Sequence, residues 1–476
     1  MSHAMVLPPI IQGGMGVGVS SWRLARAVSR LGQLGVVSGT GADTTLVRRL
    51  QDGDPGGHIR RVMEKFPMPQ VSEAVLRKYF LPEGRAPGMP YKLLPMYRQV
   101  VGRARQQLTM LAAYVEVSLA KEGHDGLVGM NLLTKIQIPN LPSLYGAVLA
   151  GVDYILMGAG IPREIPGALD ALSDHRPATL KFEVEGLAVD RVEHLTLDPT
   201  EYWNGHPPPE LRRPEFLPIV ASNSLATVLA RKATGRVNGF IVEGPTAGGH
   251  NAPPRGAPQH NQRGEPLYGD RDVVDLDKLA ELGLPFWLAG GAGNPGRLQE
   301  ALSSGAAGIQ VGTLFAFCEE SGLDPDLRRS VLASAAQGKA DVFTSARASP
   351  TGYPFKVVSW PEDATAGVPR KRVCDLGYLR TAYVRSDGKI DYRCASEPVD
   401  AFVKKGGREE DTDGRQCLCN RLMATIGQGQ LREGDTTEPP IVTSGDDLVS
   451  IGQFLDGREK YSAADVISYL LGEAAS

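Results

Sequence analysis

The stretch "PFWLAGGAGNPGRLQEALSSGAAGIQVGT", residues 285–313, decides the fold. It opens on an apolar run (285–291) that ends in glycines, then passes through Asn294 and Pro295 into an amphipathic segment, "PGRLQEALSSG" (295–305). A second apolar run, "GIQVGT" (308–313), follows at once. Short apolar runs without alternation read as strands buried on both faces, and the glycines and proline punctuate their joints. A strand, a helix and a second strand in so few residues form a parallel β–α–β unit.

The same grammar repeats outward from this unit. "PIIQGG" (9–14) precedes "SSWRLARAVSRLG" (20–32), where Ser20 or Ser21 can cap a helix whose Leu24, Ala25, Val28 and Leu31 share a face. "GVVSGTG" (35–41), "GLVGMNLL" (126–133) and "DYILMGAG" (153–160) are further strands, the last two followed by helical "PSLYGAVLAG" (142–151) and "PREIPGALDAL" (162–172). "LPIVAS" (217–222) leads to "SLATVLARKATG" (224–235), and "GFIVEG" (239–244) leads, after a long loop, to "DLDKLAELG" (275–283). "LFAFCEESG" (314–322) follows the final strand. Eight such units are expected to close into an α/β TIM (β/α)8 barrel. An open, doubly wound sheet competes because periodicity does not report closure; the count of eight favours the barrel.

Three segments break the repeat. Residues 51–100 form an insertion after strand 2 with few helical stretches, and 176–216, before strand 5, carry an extra strand, "ATLKFEVEG" (178–186). The expected division is a barrel over residues 6–340 and a C-terminal lid or extension over 341–476. Long insertions in a compact fold are usually lids or binding loops.

A chain of 476 residues with net charge −3 and interspersed signs offers no footprint for nucleic acid and no basic membrane patch. It lacks both an 18-residue apolar run and a signal-peptide core. Five cysteines in so long a chain point to reduced thiols or metal ligands rather than a disulfide framework, so a cytoplasmic protein is expected.

Active residues of such barrels sit at the C-terminal ends of strands, with a phosphate commonly bound after strands seven and eight. Here those loops are "AGGAGNPGR" (289–297) and "QVGT" (310–313). Their glycines allow close backbone approach to an anion, a helix starting at Pro295 adds its dipole, and Thr313 adds a hydroxyl. The alternative is ordinary turn packing. "QGGMGVG" (12–18) lacks the G-x-G-x-x-G pattern, but its glycines would let a flat ring lie against the backbone, with Met15 packed on it. In "IVEGPTAGGHNAPPRG" (241–256), His250 follows two glycines just past a strand end. A lone loop histidine is ordinarily structural; its company on this rim makes it the catalytic candidate.

Together, "PIIQGGMG", "MNLL", "EGPTAGGHN", "LAGGAGNPGRLQEALSSGAAGIQVGT" and "SPTGYPFKV" (349–357) resemble the nitronate monooxygenase (2-nitropropane dioxygenase) family of FMN-dependent TIM barrels. That superfamily also contains the flavin-dependent enoyl-acyl-carrier-protein reductases. The resemblance implies FMN as cofactor. Its phosphate would rest on Gly291 and on Gln310, Val311, Gly312 and Thr313, Asn131 would contact the flavin, and Gly290, Gly13, Gly14 and Met15 complete the expected cofactor contacts. Gly248 and Gly249 would let the chain turn past the flavin and aim His250, with a pKa near neutrality, at the substrate. The implied reaction is oxidation of alkyl nitronates or nitroalkanes with O2; the alternative is NAD(P)H-dependent reduction of enoyl thioesters. The expected partners are therefore a small nitronate or enoyl thioester and O2, with a homodimer as the candidate assembly. A non-catalytic barrel binding a phosphorylated ligand is the third reading. The loop 251–272 is longer than the family pattern, so substrate choice does not carry over; Lys181 and His260 are candidates for its mouth, or plain surface residues.

Cys374, Cys394, Cys417 and Cys419 lie beyond the barrel at spacings of 20, 23 and 2. Four thiolates suit zinc or an iron–sulfur cluster, but without C-x-x-C knuckles buried reduced thiols are the default. Cys318 is expected in the core, and "YSAADVISYLLG" (461–472) reads as a helix capped by Ser462 that docks on the barrel.

Overall fold

A computed structural model describes residues 7–203, 205–363 and 370–473. The expected barrel start at residue 6 and the last residues of the extension, 474–476, lie outside the described residues.

Eight strands build one sheet: β1 Ile10–Gln12, β2 Gly35–Ser38, β3 Val128–Leu133, β4 Tyr154–Gly158, β5 Glu215–Val220, β6 Phe240–Glu243, β7 Phe286–Ala289 and β8 Gly308–Val311. Neighbours run β1-β8-β7-β6-β5-β4-β3-β2, and every pair is parallel. The two ends of that order meet: Gln12 N–H donates to the Leu34 carbonyl at 3.0 Å, and Leu34 N–H to that of Ile10 at 3.1 Å. The sheet is thus a TIM barrel with helices between its strands. Val36, Leu156, Leu217, Ile241 and Trp287 fill its interior, and the Trp287 indole N–H donates to the Pro8 carbonyl at 2.8 Å. Continuous burial of β1, β2 and β4 explains why these strands read as unbroken apolar runs.

The first helix, Trp22–Arg30, is capped by the Ser21 hydroxyl, which accepts from Leu24 N–H. Leu24, Ala25 and Val28 are fully buried, but Leu31 falls just past the helix end and is exposed. The insertion is more helical than expected, with helices His58–Met63 and Pro69–Tyr79 inside 51–100. Its apolar positions sit close together between proline and glycine breaks, which hides the helical period. A long helix, Arg103–Lys121, then packs on Asn140–Leu149, where a side chain on Gly146 would strike the Met110 carbonyl at 2.1 Å. The helix after β8 is only Thr313–Ala316; Cys318 is buried beyond it, and a second helix, Pro325–Ala336, follows.

The extra strand is shorter than read, Ala178–Phe182, and pairs antiparallel with Glu193–Leu197 in a hairpin outside the barrel. The chain beyond the barrel forms hairpins Asp341–Ser345/Phe355–Ser359 and Thr381–Val384/Ile390–Arg393, and helices Leu418–Thr425 and Ala463–Leu471. The last is capped by Ser462, with Asp465 completing the capping box, and packs on helices Trp22–Arg30 and Pro295–Ser303. A buried carboxylate ties these parts together. Asp43 pairs with Arg105 at 2.7 Å and accepts hydrogen bonds from the hydroxyls of Tyr97 and Tyr378. Burial pushes its carboxyl up, but Arg105 and the two tyrosines outweigh that and hold it below the usual range. Among the described residues, no helix is long and apolar enough to cross a membrane.

Candidate functional site

One cavity opens at the C-terminal ends of the barrel strands, and every cofactor or catalytic residue named from the sequence lines it. Gly13, Gly14 and Met15 follow β1, Asn131 ends in β3, and Gly248, Gly249 and His250 follow β6. Gly290 and Gly291 follow β7, and Gln310, Val311, Gly312 and Thr313 close β8.

The glycines serve distinct ends. Gly14 lies so close to Asn131 that a Cβ would fall 2.1 Å from the asparagine Cβ. Gly290 and Gly291 take left-handed φ of 90° and 64°. Their loop turns back over the barrel mouth, a path costly for any other residue. Gly249 supplies the tight turn before His250 with φ of 78°. A side chain on Gly248 would meet Gly445 N at 2.7 Å, so this glycine also admits the C-terminal chain.

Among the described residues, no acceptor engages the N–H groups of Gly291, Ala292, Gly312 or Thr313. Gln310 Oε1 is buried without a partner. Buried polar groups in folded proteins are satisfied, so an orphan set on one cavity wall marks a ligand's place. The donors match a phosphate, and the Gln310 amide suits the polar edge of a heterocycle; the residues fit FMN. One expected contributor is otherwise engaged. The helix Pro295–Ser303 is capped by the Asn294 side chain, and Gly293 N–H donates to Asp447 at 3.1 Å, so that helix end does not serve the cavity. Thr313 Oγ1 accepts from Gly445 N–H at 3.1 Å, leaving its own proton free.

His250 is held on three sides. Its Nε2 lies 2.7 Å from Ser349 Oγ, its ring meets Phe355 edge-on at 4.9 Å, and its backbone bridges to Phe355. Burial, reinforced by the Lys135 ammonium, lowers the imidazole to about 4. The expected near-neutral value is therefore corrected. The glycine-rich loop does not float in solvent but lies beneath the segment 349–357, which dehydrates the ring. Lys135 stands 3.1 Å over the Tyr353 ring and is itself lowered to about 8 by burial.

Sequence reasoning missed the cavity's outer wall. Phe355, Tyr378, Leu379, Leu418, Cys419, Leu422, Met423 and Thr443–Gly445 come from the C-terminal chain. Only "SPTGYPFKV" carried a signal for any of it. Lys181 and His260 are exposed and do not line the cavity. Of the cysteines, Cys419 lines it, and burial followed by the neighbouring thiols raises both Cys374, to about 12, and Cys419. Cys374, Cys394, Cys417 and Cys419 are free thiols. Among the described residues, no three His, Cys, Asp or Glu side chains form a metal-ligand group, so the tetrathiolate candidate is not supported. Their segments are pinned instead by ordinary contacts, such as Cys417 Sγ to the Val373 carbonyl.

Residues 207–349, which span β5 to β8 and the His250 loop, match the family model described as nitronate monooxygenase. No curated protein matches the chain. Among solved structures, FabK from Thermotoga maritima aligns at 15% identity with a TM-score of 0.48, covering 98% of this chain and 92% of that one. Nitroalkane oxidase from Streptomyces ansochromogenes aligns at 14% identity and 0.46, covering 98% and 95%. The enoyl reductase domain of MlnA, from the macrolactin biosynthesis cluster of Bacillus amyloliquefaciens, aligns at 11% and 0.48, covering 98% and 93%. The family match, set on a TIM barrel with this cavity, supports an enzyme of the flavin-oxidoreductase type.

Proposed function

We propose that the chain is a cytoplasmic, FMN-dependent nitronate monooxygenase that oxidises alkyl nitronates with O2. The observation that carries this reading is the convergence of unpaired N–H groups after β7 and β8 with His250 on one cavity wall, inside the stretch that matches the family. Gly291, Ala292, Gly312 and Thr313 would hold the FMN phosphate, and Gly13, Gly14, Met15 and Asn131 would lie along the ring. When bound there, FMN would supply the redox chemistry, with the substrate as electron donor and O2 as acceptor.

The protein's own groups set which substrates suit it. With Nε2 engaged by Ser349, Nδ1 is the nitrogen left to meet a substrate. An imidazole lowered to about 4 is wholly neutral at pH 7, ready to accept a proton but weakly basic. A preformed nitronate has already lost its α-proton and asks nothing of that base. The positive charge of Lys135 is felt at His250, which favours an anion against that ring. The C-terminal wall of Phe355, Leu418 and Leu422 excludes water and accommodates an alkyl chain.

Anaerobic mixing tests this. Alkyl nitronate should bleach the bound flavin, while NADPH should not. Rapid bleaching by NADPH would replace the reading with an enoyl-thioester reductase. A colourless protein that takes up no FMN would leave only a phosphate-binding barrel.

A further inference from the structure

Glu243 closes β6, seven residues before His250, in register with Ala289 of β7. The next residue's N–H donates to the Ala289 carbonyl at 3.0 Å, which fixes Glu243 beside the turn that begins at Gly290. Its side chain lines the main cavity and also a smaller one behind it, bounded by Ala221, Pro245, Ala252, Arg255 and Tyr268. Among the described residues, no donor and no cation bonds its carboxyl, and Glu243 is half-buried between the two cavities.

An unpartnered carboxylate in such a place is too costly to keep, so the group carries its proton; burial pushes it up to about 8. A protonated carboxyl is a hydrogen-bond donor, and acids held neutral by apolar surroundings serve that way in other enzymes. The other polar groups nearby are already committed. His250 is bonded to Ser349, Asp447 accepts from Gly293, and the Tyr378 hydroxyl donates to Asp43. On the far side Arg255 is bound to the carbonyls of Arg271 and Ala221, its own N–H to Asp272, and Tyr268 donates to the Ala252 carbonyl. Glu243 therefore faces the main cavity with no hydrogen-bond partner among the described residues, and the unpaired Gln310 Oε1 on the same cavity is not bonded to it.

We propose that Glu243 is a cofactor-binding residue whose neutral carboxyl donates a hydrogen bond to an uncharged carbonyl or ring-nitrogen acceptor of the bound flavin. The inference rests on the flavin reading of the cavity. It makes cofactor retention depend on alkalinity: losing the Glu243 proton removes a donor and places a bare anion against the ligand. Lys135 titrates in the same range but acts on His250, so a variant at that position separates the two.

The test is dilution of FMN-loaded protein between pH 6.5 and 9.5, with dissociation read from recovered flavin fluorescence. For the wild type, Kd should stay level below the Glu243 pKa and rise about tenfold per pH unit above it. E243Q, whose amide still donates, should bind FMN with a level profile across the range. E243A should bind weakly throughout, and K135M should keep the wild-type rise. A rise retained in E243Q, FMN held as tightly by E243A as by the wild type, or a rise abolished in K135M would overturn the inference while leaving the flavin reading intact. A wild type that holds no FMN at any pH would overturn the flavin reading and this inference with it.

Discussion

The cavity has two unlike walls. The inner one is made by the barrel: glycines, backbone N–H groups and the buried Gln310 amide at the ends of β1, β7 and β8. The outer one is made by the chain after residue 341 and presents mainly apolar side chains, among them Phe355, Leu418, Leu422 and Met423, with the Cys419 thiol. Backbone donors at fixed positions recognise a constant, charged ligand, whereas a patchwork of side chains adjusts shape one residue at a time. On the proposed function, the difference would give the cofactor to the inner wall and the choice of substrate to the outer.

Changes on the inner wall should be severe. Gly14→Val forces a side chain into space already taken by Asn131, a cost of about 3 kcal/mol by overpacking. The variant should melt earlier and lose FMN, seen as a colourless protein with a lowered Tm. If it keeps full flavin, the inner wall is not the cofactor's seat.

Acid should strike the seam between the walls, where His250 is covered by 349–357. Its folded pKa of about 4 lies below the unfolded value, so the unfolded chain binds the extra proton first. Stability should therefore fall as pH drops from about 6.5 to about 4, by up to about 3 kcal/mol. His250→Asn should lose that part of the decline, as measured by urea midpoints across the range. An unchanged acid limb in the variant would mean that the imidazole is hydrated and the seam open.

The mildest change belongs to the outer wall. Leu422→Ala removes a half-buried side chain, so FMN should remain bound and kcat should hold. KM for a long-chain nitronate should rise about tenfold, the worth of one or two lost apolar contacts. Loss of flavin in this variant would dissolve the division between the walls.

The same division marks what the sequence could tell. The barrel strands were legible because parallel strands buried on both faces must be continuously apolar, and the inner wall because glycines are placed where φ or contact permits nothing else. All thirteen cofactor and catalytic residues read from the chain line one cavity. The outer wall was illegible, since Leu418, Leu422 and Met423 look like any amphipathic helix until their neighbours are known. The His250 pKa was misjudged for the same reason: the residues that dehydrate it lie about a hundred positions later. Helices His58–Met63 and Pro69–Tyr79 are hard to read because they are crowded between Gly56, Gly57, Pro67 and Pro82, which read as loop.

The Asp43–Arg105–Tyr378 knot has a consequence for how the protein is made. It draws on segments some 335 residues apart, one early in the barrel and one in the last quarter of the chain. While the ribosome is still building the barrel, Asp43 and Arg105 have each other but not Tyr378, and the cavity above the strands stands unroofed. The cavity is therefore completed late in synthesis, and a chain cut short before Tyr378 would own a barrel without a chamber.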